Sequence, residues 1–110
     1  MGNKLSLQAL VRSLTEQAAS APSGRSADTV YGGHERALRQ TVIALRADAG
    51  MAEHGSPGEA TLQVLQGRVR LDAEETSWEA RTGDLLIIPE ERHSLTALED
   101  SVVLLTVART

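Results

Sequence analysis

Between Ala27 and Val107 the sequence breaks into short apolar or β-branched runs, each closed by a turn signal, with no helical pattern interrupting them. The runs are Asp28–Tyr31, Leu38–Arg46, Thr61–Leu65, Arg68–Leu71, Thr76–Ala80, Leu85–Ile88, Ser94–Ala97 and Val102–Val107. Gly32-Gly33, Gln66-Gly67, Gly83-Asp84 and Glu99-Asp100 separate several of them and supply the residues that turns require. About eight short strands in one stretch predict an all-β sandwich or barrel. Gln66-Gly67 reads as a hairpin turn. Strand alternation puts Leu62 and Val64 on one face, and Thr61, Gln63 and Leu65 on the other.

The N-terminal segment is different. Leu7, Leu10, Val11, Leu14 and Ala18 recur at helical spacing and form one apolar stripe, predicting a helix over 5–19. Asn3 or Ser6 is placed to cap its start, and Pro22-Ser23-Gly24 ends the pattern. The chain of 110 residues has room for a single domain. Residues 1–20 are expected as a helix and 27–108 as the β-domain, with the stripe packing on the domain or on a partner subunit.

Composition removes several classes of function. Aromatics are 2% of the chain, with one Trp, one Tyr and no Phe, too few for a base-stacking surface. A net charge of −4 gives no general attraction to phosphate backbones or anionic membranes, so nucleic acid and membrane are not expected partners. The absence of cysteine excludes disulfides, thiolate metal sites and cysteine nucleophiles. No apolar run approaches a membrane span, and Gln8, Arg12 and Glu16 interrupt any secretory leader, so a cytoplasmic location is expected. The sequence carries no Gly-rich phosphate loop, nucleophile elbow or helix-turn-helix segment.

Two segments carry chemistry together. One runs from Gly50 through Glu53-His54-Gly55-Ser56-Pro57-Gly58-Glu59-Ala60 to Gly67, and the other is Gly83-Asp84-Leu85-Leu86-Ile87-Ile88-Pro89 followed by His93. In order and spacing the pair resembles the two motifs of the cupin superfamily, of the small, single-domain RmlC-like kind. The resemblance covers roughly residues 27–108. It implies a jelly-roll (double-stranded β-helix) barrel whose mouth holds a ligand or metal, preceded here by one N-terminal α-helix. Small stand-alone cupins usually pair, so a homodimer is also implied, with Leu7, Leu10 and Leu14 offering one surface for it.

Carried over residue by residue, the family's metal set is incomplete. His54 matches the first motif histidine and His93 the last, whereas Ser56 and Ala60 occupy the second histidine and the glutamate positions. Catalytic zinc normally takes three protein ligands, and the non-heme iron triad two His and a carboxylate. Glu59 adjoins the vacant carboxylate position, and an irregular turn at Pro57-Gly58 would bring it inward to complete His54, Glu59 and His93. Glu53 flanks His54 and should face away. His34, outside both motifs, reads as a turn histidine.

The primary expectation is therefore a barrel pocket that binds an unidentified small molecule beside a degenerate metal site. Its wall would comprise His54, Ser56, Ala60, Leu62 and His93, with Trp78 either lining the pocket or filling the core. Arg92 is placed either to hold a carboxylate at the mouth or to pair with Glu90 or Glu91. The alternative is a metal-dependent enzyme of oxygenase or isomerase type, using one divalent metal (Fe, Mn, Ni or Zn) on His54, Glu59 and His93. A barrel serving only in assembly is a third reading. His54 and His93 are expected to meet inside the barrel near its open end.

Overall fold

The computed structural model describes residues 3–54 and 58–108, with residues 53 and 54 described by their backbone alone. One helix, α1 (Leu7–Ser20), precedes nine strands. These are β1 (Arg25–Tyr31), β2 (Leu38–Leu45), β3 (Gly50–His54), β4 (Glu59–Gln66), β5 (Arg68–Asp72), β6 (Ser77–Arg81), β7 (Leu85–Ile87), β8 (His93–Ala97) and β9 (Ser101–Ala108). The ladders form a five-stranded sheet, β1-β2-β9-β4-β7, and a four-stranded sheet, β3-β8-β5-β6. Of strands consecutive in sequence, only β1–β2 and β5–β6 pair. The remaining connections cross between sheets or skip over strands, an arrangement consistent with a jelly roll. Among the described residues the hydrogen bonds make two sheets. The eight expected strands all appear, and β3 is an addition.

The hairpin expected at Gln66-Gly67 does not form. β4 and β5 belong to different sheets, and Gly67 is the corner between them, with a φ of 97°. A Cβ there would strike the Ser101 hydroxyl oxygen and the Asp100 carbonyl oxygen, so the left-handed corner also requires glycine for space. The Thr82 hydroxyl accepts from the Gly67 N–H at 3.0 Å, and the Ser101 hydroxyl oxygen accepts from the Arg68 N–H at 3.0 Å. Side chains thus satisfy backbone groups that leave one ladder before entering the next.

The inner faces of the two sheets share one apolar core. Ile43 and Leu45 of β2, Leu62 and Val64 of β4, and Val103 and Val107 of β9 meet Val69 and Leu71 of β5, Ala80 of β6, and Leu95 and Ala97 of β8. The outer face of the five-stranded sheet is covered by α1. There Leu14 and Ala18 pack on Val42, Ala44 and Val102, with Leu10, Val11, Val30, Leu65 and Leu104 around them. The stripe, expected to pack on the domain or on a partner subunit, packs on the chain's own sheet through Leu14 and Ala18, while Leu7 stays exposed. Ser6 is the N-cap, its side chain accepting from the Ala9 N–H at 3.1 Å. At the other end the Arg46 guanidinium donates to the Ala19 and Ala21 carbonyls at 2.9 and 3.2 Å, placing a cation on the helix C-terminus. No described helix is long and apolar enough to cross a membrane.

Candidate functional site

Side-chain alternation along four strands converges on one end of the space between the sheets. On β2 the odd residues Arg39, Thr41, Ile43 and Leu45 face inward, since Val42 and Ala44 face the helix. On β4 the inward set is Ala60, Leu62 and Val64, paired through β9 with Val107, Leu105 and Val103. On β8 it is His93, Leu95 and Ala97. Where Arg39, Ala60, His93 and Val107 come together the interior is hollow. The cavity measures about 240 Å³, and its wall is completed by Met51, Leu62, Leu71, Ile88, Leu95 and Leu105. Eight of its ten lining residues are apolar, and the two polar side chains are Arg39 and His93.

His93 is the first residue of β8 and is 5% exposed. Its Nδ1 lies 2.9 Å from the Glu91 carbonyl oxygen. A carbonyl only accepts, so Nδ1 is the donor of this bond. That arrangement fixes ring orientation through the backbone just before the strand, as ligand-holding histidines require. The β3–β8 register sets the backbone of His54 opposite that of His93, across an irregularity between Met51 and His54. The His54 side chain and the whole of Ser56 lie outside the described residues.

The carboxylate expected to complete a metal set does not enter the cavity. The β4–β9 pairing is regular from Glu59↔Ala108 to Val64↔Val103, so no break in alternation occurs within that stretch. With Ala60 inward, Glu59 is one position out of phase and lies exposed on the outer face. Among the described residues no group of three or more His, Asp or Glu side chains is placed to hold a metal ion. Of the implied set His54, Glu59 and His93, the described side chains place only His93 in the cavity wall.

Two further expected wall residues lie elsewhere. Trp78 pairs with Leu71 and shares the inward parity of Ala80, yet it is 42% exposed and outside the cavity wall. β6 is the edge strand of its sheet, so the indole neither fills the core nor lines the pocket. Arg92 is exposed in the segment before β8 and is likewise outside the wall. The cation that does reach the cavity is Arg39, which the motifs do not contain.

A second, larger concavity of about 450 Å³ lies on the outer surface between α1 and β4, against Leu7, Val11, Arg12 and Leu65. No buried ionisable group lines it, and it is a surface groove between two packed elements. The interior cavity is the candidate site.

Two antiparallel sheets with crossing connections enclose an apolar cavity that holds a buried histidine. Similar solved structures give the chain the fold of the cupin superfamily. A cupin superfamily protein from Desulfitobacterium hafniense superposes with a TM-score of 0.72 at 11% identity, over 78% of each chain. A conserved protein of unknown function from Streptococcus pyogenes gives 0.78 at 22% identity, over 100% of this chain and 90% of that one. Salicylate 1,2-dioxygenase from Pseudoaminobacter salicylatoxidans gives 0.77 at 21% identity, over 94% of this chain but 32% of the dioxygenase. No protein-family model and no curated protein sequence matches the chain.

Proposed function

We propose that the chain is a small-molecule binding protein that holds its ligand in the cavity between the sheets. The observation that carries this reading is a hollow of about 240 Å³ lined by apolar side chains around a buried histidine. An apolar pocket with a few oriented polar groups is the usual construction of a ligand site. In it the aliphatic wall supplies burial, and His93 is a buried polar group whose ring is oriented by the Glu91 carbonyl.

The reading of a metal-dependent oxygenase or isomerase is favoured by one observation, the pairing of the His54 and His93 backbones. It requires a third protein ligand, and Glu59, its expected source, faces outward. The metal site is accordingly read as degenerate.

Both readings are tested on the intact chain. A panel of small apolar molecules should shift the methyl resonances of Leu62, Leu95 and Val107, and Ala60→Leu, which fills the cavity, should abolish those shifts. Binding that survives Ala60→Leu overturns the proposal. Titration with Fe, Mn, Ni and Zn discriminates the alternative: stoichiometric binding lost in both His54→Ala and His93→Ala would turn the assignment to the enzyme.

A further inference from the structure

The identity of the ligand's polar end follows from Arg39, and the inference rests on the cavity reading above. Arg39 is the second residue of β2, where it is opposite Val107 in the ladder and half-buried. Arg39 is one of the residues lining the cavity, and its side chain makes no hydrogen bond or ion pair with any described residue. Other arginines of the chain are engaged: Arg68 with Glu79 and Glu99, Arg70 with Asp72, and Arg46 with helix carbonyls. Arg39 is the one cationic side chain in the wall of this largely aliphatic cavity.

A guanidinium stays charged under all ordinary conditions and presents a planar fork of donors. Withdrawing part of it from water without a partner costs free energy that an acceptor would return. The fork matches carboxylate and phosphate alike through two parallel N–H···O bonds, and the carboxylate, planar and singly charged, suits one guanidinium in a small apolar cavity. The other wall residues, His93 excepted, are apolar, so the remainder of the ligand must be apolar as well. The cavity is smaller than the ~300–1,000 Å³ pockets that take drug-sized ligands. We infer that the cavity takes a small apolar monocarboxylate, with its carboxylate on Arg39 and its hydrocarbon end against Leu62, Leu71, Leu95 and Leu105.

The test compares matched pairs of probes on the full chain: hexanoate with hexanamide, and benzoate with benzamide. Methyl resonances of Leu62, Leu105 and Val107 report occupancy. The acids should bind about 10- to 100-fold more tightly than their amides. Arg39→Gln should remove that preference, while Arg92→Gln, on the exposed loop, should retain it. Should Arg39→Gln fail to fold, the wild-type comparison still decides, because amides binding as well as acids overturn the inference. That result leaves the cavity reading standing. If neither series moves the cavity methyls, both the inference and the cavity reading fall. Acid binding unaffected by Arg39→Gln overturns the inference by itself.

Discussion

The two ends of the space between the sheets are built from the same strands and filled differently. At the Gly67 end, Leu45, Val64, Val69, Ala97 and Val103 are each at most 1% exposed and form solid core. At the opposite end β2, β4, β8 and β9 present Arg39, Ala60, His93 and Val107 around a void. Register is regular along β4 between the two ends, so the backbone does not create the difference. Side-chain volume does. Ala60 stands two residues before Leu62 and four before Val64 on the same inward row, and its smaller side chain leaves space that its neighbours do not fill. One end supplies the packing that holds the sheets together, which leaves the other end able to stay hollow.

The largest effect should come from breaking the solid end. Leu45→Ala should cost about 3 kcal/mol in urea unfolding, since a rigid core collapses poorly around a lost side chain. Leu105→Ala, half-buried beside an existing void, should cost about 1 kcal/mol. Equal losses would mean that the two ends do not differ in packing.

Adding volume sharpens the contrast, because the sign should reverse. Ala97→Leu overfills the solid end and should destabilise by about 2 kcal/mol. Ala60→Leu should instead stabilise by up to about 1 kcal/mol, as cavity filling commonly does. A large loss of melting temperature for Ala60→Leu would show that the hollow end is already as tightly packed as the other.

The smallest effect lies outside the core. Ser6→Ala removes the acceptor for the Ala9 N–H and should cost under about 1 kcal/mol, read as helix fraying by amide exchange. Cavity methyl shifts should not change. Movement there would tie the helix to the hollow end and erase the separation between the two faces of β2.

Much of this was legible in the residues, and the gaps have physical causes. The helix stripe, the strand runs and the paired motifs fixed the element order, and the parity of Leu62 and Val64 placed Ala60 on the inner wall. The Gln66-Gly67 signal reads as a hairpin, yet a two-residue turn signal does not state whether the next strand returns to the same sheet. Here Ser101 and Thr82 satisfy the freed backbone and let the chain change sheets. Glu59 was placed inward on a supposed break in alternation, but the ladder holds its period from Glu59 onward. Arg39 went unnoticed for a different reason. Leu38, Val42 and Ala44 are apolar on one face of β2, and Ile43 and Leu45 on the other, so the pattern does not say which face turns inward. Only the position of α1 on the even face settles it.

Trp78 gives the molecule a built-in optical reporter. It is the chain's single tryptophan, accompanied by one tyrosine and no phenylalanine, so indole emission has one source. Its strand partner Leu71 belongs to the cavity wall, while the ring itself is 42% exposed to water. The indole is thus one ladder position away from a wall residue, and its emission reports on displacement of the β5–β6 pair. Filling the hollow end should therefore be visible as a shift in emission colour, in unlabelled protein and at concentrations far below those that magnetic resonance needs.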